Sequence, residues 1–294
     1  MAPAAEGAIR ELFEAVGVDG HLHAVDLATG AEVAYRADDV VVAASVFKLP
    51  VLVELCRQVS AGEVDAAEQV TVPAEGRSPG PFGISIMRDP VTMSWRDLAW
   101  LMTGISDNAA ADVVTGRVGI DRVNATLASL GLTATRVEED CAGIVAGIVA
   151  DAGSDLVLAL SDPARLARLR ALDPALTNRT TAKESTTLLR LVWTDRAAPP
   201  AACAEVRRIL GLQVWPHRLA SGFPEDGVRT SGKTGSLGPV RNEAGVVEYA
   251  GGGSYAVAVF TRSRSTALKH PAADAAIGTA ARLAVDALRA ATHQ

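Results

Sequence analysis

The chain has 294 residues, of which 49% are hydrophobic and 21% are charged, and its net charge is −6. This length is enough for one large domain or two closely joined ones, and the composition excludes a disordered chain. The acidic balance argues against a nucleic-acid partner. We find neither a long apolar run nor a recognisable signal peptide, so we expect no membrane association and a cytoplasmic location, or secretion if a leader has been removed.

The predicted elements are an N-terminal helix, two strands, a long helical stretch, three more strands and a closing helix. Residues 1–17 read as a short amphipathic helix, and apolar residues recur at three- and four-residue spacing between Ser45 and Leu212. The predicted strands are His21–Leu27, Glu32–Arg36, Val228–Gly235, Asn242–Ala250 and Ser254–Arg262. The predicted later helices are Val46–Val59, Ser94–Thr103, Asn108–Val118, Asp121–Leu130, Pro163–Ala171, Glu184–Thr194 and Ala272–Ala291.

This order predicts an α+β fold in which both chain ends build one five-stranded antiparallel sheet, flanked by the N- and C-terminal helices. Residues 1–40 plus 213–294 would form the sheet subdomain, and residues 41–212 would form an inserted all-helical subdomain. The small, apolar segment Cys141–Asp155 reads as a loop or a buried helix. A cleft between the two subdomains is the expected ligand site.

The first chemical motif places Ser45 three residues before Lys48. On a helix this spacing puts both side chains on the same face, one turn apart. A desolvated lysine can take the proton that makes a serine hydroxyl nucleophilic. Taken alone, the pattern also fits a capping serine followed by a surface lysine.

Two further motifs follow, Ser106-Asp107-Asn108 and Lys233-Thr234-Gly235. The first alone fits a helix N-cap, and the second alone fits a turn. Lysine is scarce in this chain, occurring only at positions 48, 183, 233 and 269. Finding two of these lysines in SxxK and KTG, on either side of SDN, is therefore much more specific than any single motif.

The trio SxxK, SDN and KTG is the signature of class A β-lactamases and penicillin-binding proteins. The stretches ASVFKLPVLVEL, ISDNAAADVV and SGKTGS resemble this family in wording as well as order, and the resemblance spans essentially the whole chain. It implies a serine-acylating hydrolase that opens β-lactams or related amides and esters. The small-molecule substrate would carry a carboxylate, and the enzyme would be a monomer that needs neither a metal nor a cofactor.

The resemblance also implies a role for each matching residue. Ser45 would be acylated, Lys48 would take or relay its proton, and Ser106 would pass a proton to the leaving nitrogen. The substrate would be bound by Asn108, Lys233, Thr234, Ser236 and Arg241. Backbone N–H groups of Ser45 and Ser236 would form the oxyanion hole, whereas Arg241 aligns more loosely because the preceding turn is one residue short.

The chain departs from the family where class A enzymes carry Glu-x-x-Leu-Asn, whose glutamate activates the water that releases the acyl group. We find no such element. The acidic candidates in this region, none of which matches the motif, are Glu138, Glu139, Asp151, Asp155 and Asp173. Acylation would then be intact but deacylation slow, and a cytoplasmic esterase or peptidase or a slow-turnover penicillin-binding protein remains an alternative.

Other patterns carry weaker signals. Gly227–Thr234 fits the phosphate-binding pattern GxxxxGK[ST], but it lacks the preceding strand and the following helix that a nucleotide site needs. His21 and His23 would share one strand face, although no third metal ligand stands out. Three widely spaced cysteines at positions 56, 141 and 203 read as reduced thiols, with one disulfide left open.

Overall fold

The computed structural model describes residues 2–292. Its helices are α1 Ala2–Ala15, α2 Lys48–Ser60, α3 Trp95–Gly104, α4 Asn108–Val118, α5 Ile120–Ser129, α6 Cys141–Ala152, α7 Leu156–Ser161, α8 Pro163–Leu166, α9 Ala182–Trp193, α10 Pro200–Leu210 and α11 Pro271–Thr292. Short 3-10 helices lie at Ala44–Phe47, Gly83–Ile86, Arg170–Leu172 and Leu219–Gly222. The strands are β1 Val18–Asp26, β2 Glu32–Tyr35, β3 Val41–Val42, β4 Gln69–Val72, β5 Val91–Ser94, β6 Arg179–Thr180, β7 Val228–Leu237, β8 Val240–Tyr249 and β9 Ser254–Ser263.

The central sheet confirms the predicted fold class. Its strand order is β2-β1-β9-β8-β7, and every neighbouring pair is antiparallel. The two N-terminal strands therefore join the three C-terminal strands through the β1–β9 pair, where Leu22 faces Val259. The division into subdomains at residues 40/41 and 212/213 remains a prediction.

The sheet is covered on both faces because its strands carry apolar residues on both sides. On one face Leu22, Val257 and Val259 pack with α1 and α11. On the other face Val246 and Phe260 belong to a larger core shared with the helices of residues 41–212. The sheet is thereby held between a terminal helix pair and the helical body.

Some local elements differ from the sequence-based expectation. The segment Cys141–Asp155, for which the sequence leaves a loop and a helix as alternatives, forms helix α6 over most of its length. The Asp140 side chain caps this helix by accepting a hydrogen bond from the Gly143 N–H. The helix predicted at Pro163–Ala171 stops at Leu166 and resumes as a 3-10 turn. Leu166, Leu169 and Leu172 are spaced three residues apart, which is the repeat of a 3-10 helix rather than that of an α-helix. The short pairs β3–β6 and β4–β5 were not predicted, since two to four residues carry little periodicity.

Candidate active site

The three sequence motifs converge on one cavity of about 390 Å³, called here the Ser45 cavity. It lies between the 3-10 helix Ala44–Phe47, the loop before α4, the end of β7 and the helices α6 and α7. Its polar lining includes Ser45, Ser106, Asn108, Thr234 and Ser236. Residues more than 100 positions apart in the chain thus share one concave surface.

The turn that carries Ser45 is held in an unusual backbone conformation. Ala44 has a φ of 44°, in the left-handed region that a residue with a Cβ atom rarely adopts. The Asn242 side chain donates hydrogen bonds to the carbonyl groups of Val42 and Ala43, at 2.9 and 3.2 Å, and so ties this turn to β8. Neighbouring structure therefore fixes the direction from which Ser45 enters the cavity.

Gly235 lets β7 pass directly beside the Ser45 turn. A Cβ atom at this position would lie 2.9 Å from the Ala43 carbonyl oxygen and 3.2 Å from the Ser45 nitrogen. Only glycine fits this approach without a shift of the backbone. The glycine of the KTG motif is therefore required by the close packing of β7 against the Ser45 turn.

Lys48 begins α2 and is completely buried. Its Nζ donates to the Ser106 carbonyl at 2.8 Å, to Ser106 Oγ at 3.3 Å and to Asn108 Oδ1 at 2.9 Å. Burial lowers the pKa of this ammonium group, while nearby Cys141 and acidic residues act in the opposite direction. A lysine with a lowered pKa is easier to deprotonate and so is better suited to act as a base.

The SDN segment is shaped by Asp107, which acts as a structural residue. Its buried carboxylate caps α4 through the N–H groups of Ala109 and Ala110, at 3.0 and 3.3 Å. The same carboxylate accepts from the Ile84 N–H at 2.6 Å and from Ser85 Oγ at 2.8 Å. Ser106, with a φ of 64°, turns towards Lys48 as a result.

Lys233 lies in the middle of β7 and is fully buried. Its Nζ donates to the Thr234 carbonyl at 2.7 Å. Burial, together with the positive charges of Lys48 and Arg218, lowers its pKa well below the ordinary value. The strand is also fixed from the side, because Gln213 accepts from the Thr234 N–H at 2.9 Å and donates to the buried Glu243.

The cationic residue that borders the cavity is Arg218, which the motifs did not indicate. Its guanidinium donates to Ser236 Oγ at 2.6 Å and to the Gly235 carbonyl at 2.9 Å. Asp274 of α11 holds the other side of this group through Arg218 Nε at 2.7 Å. Arg218 is therefore a buried, charge-paired residue at the edge of the site.

Arg241 is placed differently from the position suggested by the resemblance. Its guanidinium donates to the carbonyl groups of Gly238, Val240 and Leu268, at 2.6, 2.7 and 3.0 Å. It is not one of the residues that line the cavity. These three carbonyl groups hold the Arg241 guanidinium away from the Ser45 cavity. The positive charge next to Ser236 comes from Arg218.

The Cys141 thiol lies beside Asn108 and Lys48. Cys141 is the first residue of α6, and the Asp112 carboxylate accepts from its N–H at 2.7 Å. Its Sγ lies 3.5 Å from Asn108 Oδ1, the oxygen that also accepts from Lys48. Burial raises the pKa of this thiol to about 11, although the nearby positive charge of Lys48 acts to lower it.

The five acidic candidates of the divergent segment all have other partners, and none lines the cavity. Glu138 pairs with Arg136 and Arg179, and Asp151 pairs with Arg170. Asp155 caps α7, Asp173 accepts from the Ala175 N–H, and Glu139 accepts from Thr177 Oγ1 at 3.4 Å. The lining of the Ser45 cavity contains no carboxylate.

The weaker sequence patterns have structural explanations. The Gly227–Thr234 pattern lies almost entirely in β7, and the strand continues past Lys233, so no helix opens there for a phosphate. His21 contacts the Arg36 carbonyl and the Asp39 carboxylate. His23 contacts the Thr186 hydroxyl and the Glu32 carboxylate instead. Residues 2–292 contain no group of three or more potential metal ligands. Cys56, Cys141 and Cys203 are buried free thiols.

Comparison with known proteins agrees with this architecture. A β-lactamase from Sphaerobacter thermophilus has 27% sequence identity and a TM-score of 0.78, over 100% of this chain and 97% of that one. The penicillin-binding protein PBP-A has the same fold at 21% identity, with a TM-score of 0.77 over 97% of this chain and 96% of that one. The chain thus has the fold that is shared by this β-lactamase and PBP-A.

The sequence matches assign the family. Residues 4–288 match the model of the β-lactamase enzyme family. The chain is also 34% identical to "Beta-lactamase regulatory protein BlaB" of Streptomyces cacaoi, over 97% of this chain and 98% of that protein. The chain belongs to the β-lactamase enzyme family. Within residues 2–292, no helix is long and apolar enough to cross a membrane.

Proposed function

We propose that the protein is an acyl-serine enzyme in which the Ser45 hydroxyl attacks the carbonyl carbon of a carboxylate-bearing β-lactam, amide or ester. The observation that carries this proposal is the convergence of Ser45 and Ser106 on a cavity backed by the buried Lys48. The neutral form of Lys48 accepts the Ser45 proton as the new C–O bond forms. Ser106 then passes its proton to the leaving nitrogen or oxygen as the old bond breaks, and Lys48, whose Nζ lies 3.3 Å from Ser106 Oγ, returns the Ser45 proton to Ser106.

The substrate carboxylate would lie at the end of β7. Arg218 supplies positive charge from the far side of Ser236, and Lys233 lies fully buried behind the strand surface, where its Nζ donates to the Thr234 carbonyl. The Thr234 and Ser236 side chains line the same part of the cavity. Charge-assisted hydrogen bonds of this kind are stronger than neutral ones, and they would orient the scissile carbonyl over Ser45.

The chemistry of the lining supports fast acylation followed by slow deacylation. Hydrolysis of an ester on Ser45 needs a base that can activate water, and the cavity lining offers no carboxylate for this purpose. The Cys141 thiol, with its pKa raised to about 11, stays protonated near neutral pH and is a poor base. His217 also lines the cavity, with its pKa lowered by burial, and we propose that its imidazole does not activate water at the ester, so that the acyl group persists.

A penicillin-binding or sensing role is the second candidate. A long-lived acyl-enzyme reports the presence of its ligand rather than destroying it, and the relative from Streptomyces cacaoi is named a β-lactamase regulatory protein. An esterase or peptidase role remains open for substrates whose acyl group leaves by another route.

The test is to mix the protein with a chromogenic cephalosporin and follow intact-protein mass and absorbance together. The proposal predicts a mass increase of one acyl group that forms within seconds to minutes and persists, with one stoichiometric burst of colour. Sustained colour with only a transient adduct would mean that the enzyme turns over β-lactams efficiently. Absence of both signals with β-lactams, and of any adduct with activated esters, would contradict acylation at Ser45.

A further inference from the structure

Helices α2, α3 and α10 meet at another cavity of about 140 Å³, called here the helix-junction cavity. Among residues 2–292, none lines both this cavity and the Ser45 cavity. The lining consists of residues from the three helices and one from the loop after α2, namely Leu55, Cys56, Val59, Ser60, Ala66, Trp95, Arg96, Ala99, Ala201, Ala202, Glu205 and Ile209.

The lining follows the helical repeat on every helix. Residues 55, 56 and 59 share one face of α2, and residues 95, 96 and 99 share one face of α3. Residues 201, 205 and 209 share one face of α10 in the same way. The cavity is therefore built into the packing of three helices and does not depend on the position of a loop.

Alanines create the space at this junction. Ala99 and Ala202 lie at its buried part, and Ala66 and Ala201 lie nearer the surface. Protein interiors normally leave few voids larger than a water molecule, which occupies about 30 Å³ in the liquid. A gap of about 140 Å³ lined by small side chains is therefore large enough for a ligand of several heavy atoms.

The floor of the cavity is apolar. Leu55, Cys56, Trp95 and Ile209 are buried there. Trp95 Nε1 donates to Glu68 at 3.0 Å, so the polar atom of this indole is already engaged. Burial raises the pKa of the Cys56 thiol to about 12, and its sulfur is a neutral, polarisable contact of the kind that packs well against aromatic rings.

The rim carries charges of both signs. Arg96 and Glu205 are the charged residues of the lining. Beside them lie Arg208, which donates to Glu205 at 2.7 Å, and Asp97, which follows Arg96 in α3 and acts on the pKa of Arg208. Two positive and two negative side chains balance at the opening, so the rim favours a neutral ligand over an ion.

We propose that the helix-junction cavity is a second ligand site, which binds a small neutral molecule with one apolar ring between α2, α3 and α10. An apolar cavity of similar volume, about 150 Å³, accepts a benzene ring. Transfer of six or seven carbons out of water, less the cost of association, predicts a dissociation constant on the order of 1 mM for toluene.

The site is separate from the reacting groups, although it touches the helices that position them. Lys48 lies eight residues before Cys56, which is about 12 Å along the axis of α2. Helix α3 ends at Gly104, two residues before Ser106. A ligand held here would not compete for the Ser45 cavity, and the inference does not depend on the acyl-serine chemistry of the proposed function.

The test is a titration of the full-length protein with toluene and with benzoate, followed by saturation-transfer NMR of the ligand. Toluene should bind with a dissociation constant on the order of 1 mM. Benzoate should bind at least about tenfold more weakly, because its carboxylate would have to leave water at a rim without excess positive charge. Failure of toluene to bind up to its solubility, or benzoate binding as tightly as toluene, would overturn the proposal.

One matched pair of variants locates the ligand by filling the cavity. Ala202→Leu adds three carbons to the buried part of the lining, whereas Ala204→Leu makes the same change at an exposed position of α10 that does not line it. The first variant should weaken toluene binding at least about tenfold, since the added carbons take up much of the space. The second should bind toluene as the wild type does.

A second pair enlarges the cavity, so that the location does not rest on a variant that must accommodate extra atoms. Cys56 and Cys203 are both buried free thiols, and only Cys56 lines the cavity. Cys56→Ala should favour the larger indole over toluene by about fourfold relative to the wild type, the effect of burying about one more carbon. Cys203→Ala should leave this ratio unchanged. Equal behaviour within either pair, once thermal melts verify folding, would overturn the assignment of the ligand to this cavity.

Discussion

Gly235→Ala is the substitution whose effect the structure predicts most directly. The new Cβ atom would lie 2.9 Å from the Ala43 carbonyl oxygen, 3.1 Å from Val46 Cγ2 and 3.2 Å from the Ser45 nitrogen. The first and third of these neighbours are backbone atoms, which cannot rotate away as a side chain could. The strand and the nucleophile turn must therefore separate by about 0.5 Å to reach ordinary van der Waals contact.

This separation has two measurable consequences. Forcing one extra carbon into a packed contact costs about 1–3 kcal/mol of unfolding free energy. Since a misplacement of about 1 Å can cost about 100-fold in rate, a shift of half that size should slow acylation about tenfold. The backbone N–H groups of Ser45 and Ser236, for which the resemblance implies an oxyanion-binding role, would move apart in the same displacement, and this gives the expected loss a specific cause.

The assay is the second-order rate constant for acylation by benzylpenicillin, followed by intact-protein mass, with urea unfolding measured alongside. Gly116→Ala is the control, because a Cβ atom there meets no neighbour within 4 Å and the residue lies in α4. That variant should acylate at the wild-type rate and gain up to about 1 kcal/mol of stability. Acylation of Gly235→Ala at the wild-type rate would refute the argument that this glycine sets the geometry of the site.

Three further predictions concern buried groups of the site. Asp107→Ala removes the acceptor of four hydrogen bonds and should lower the unfolding free energy in urea by about 2–4 kcal/mol, and a loss under about 0.5 kcal/mol would contradict its structural role. Lys233→Met should raise the unfolding free energy by about 1–3 kcal/mol near neutral pH. Lys233 keeps its proton up to its ordinary pKa of 10.5 in the unfolded protein but loses it at a lower pH in the folded protein. The stability difference between Lys233→Met and the wild type should therefore shrink as the pH rises from the folded pKa towards 10.5. A stability difference that grows with pH would refute the reasoning. The raised pKa of Cys141 predicts that iodoacetamide at pH 8 alkylates this thiol about 100-fold more slowly in the folded than in the unfolded protein, as peptide mapping can measure, and equal rates would show that the thiol is not desolvated.

The fold was predictable because its long elements carry strong periodic patterns. The strand at Ser254–Ser263 is fully buried over most of its length, and its alternating, β-branched sequence leaves no competing interpretation. The order of the predicted elements, with two strands before the helical stretch and three after it, supplied the topology. The short strands β3 to β6 were not predictable in this way, because their pairing depends on tertiary contacts rather than on local pattern.

The site was partly predictable for a related reason. The spacing of Ser45 and Lys48 gives their shared helix face locally, whereas their meeting with Ser106 and Lys233 could be expected only from the resemblance. Arg218 carries no such signal, since it is one of many arginines and lies in a loop whose position depends on α11. The 3-10 helix Leu219–Gly222, which follows Arg218, packs against α11 through Gly222 and Gly278. The approach is so close that a Cβ atom at either glycine would clash with backbone atoms.

Cys141 shows the limit of motif reasoning most clearly. A lone cysteine after an acidic stretch has no sequence pattern that distinguishes it from a small core residue. Only the contact with Asn108, together with the anchoring of its N–H by Asp112, places its thiol beside Lys48. The ionisable side chain of this segment that lines the cavity is therefore the Cys141 thiol and not a carboxylate.

The most direct test of the account is to locate the acyl group. After reaction with benzylpenicillin and acid quenching, tandem mass spectrometry of the proteolytic peptides distinguishes Ser45 from the other nucleophilic side chains that line the cavity, which are Ser106, Cys141, Thr234 and Ser236. The account predicts an adduct on Ser45 in the wild type and in Cys141→Ala, and none in Ser45→Ala. An adduct on Cys141, or one that survives in Ser45→Ala, would contradict the assignment of Ser45 as the acyl acceptor.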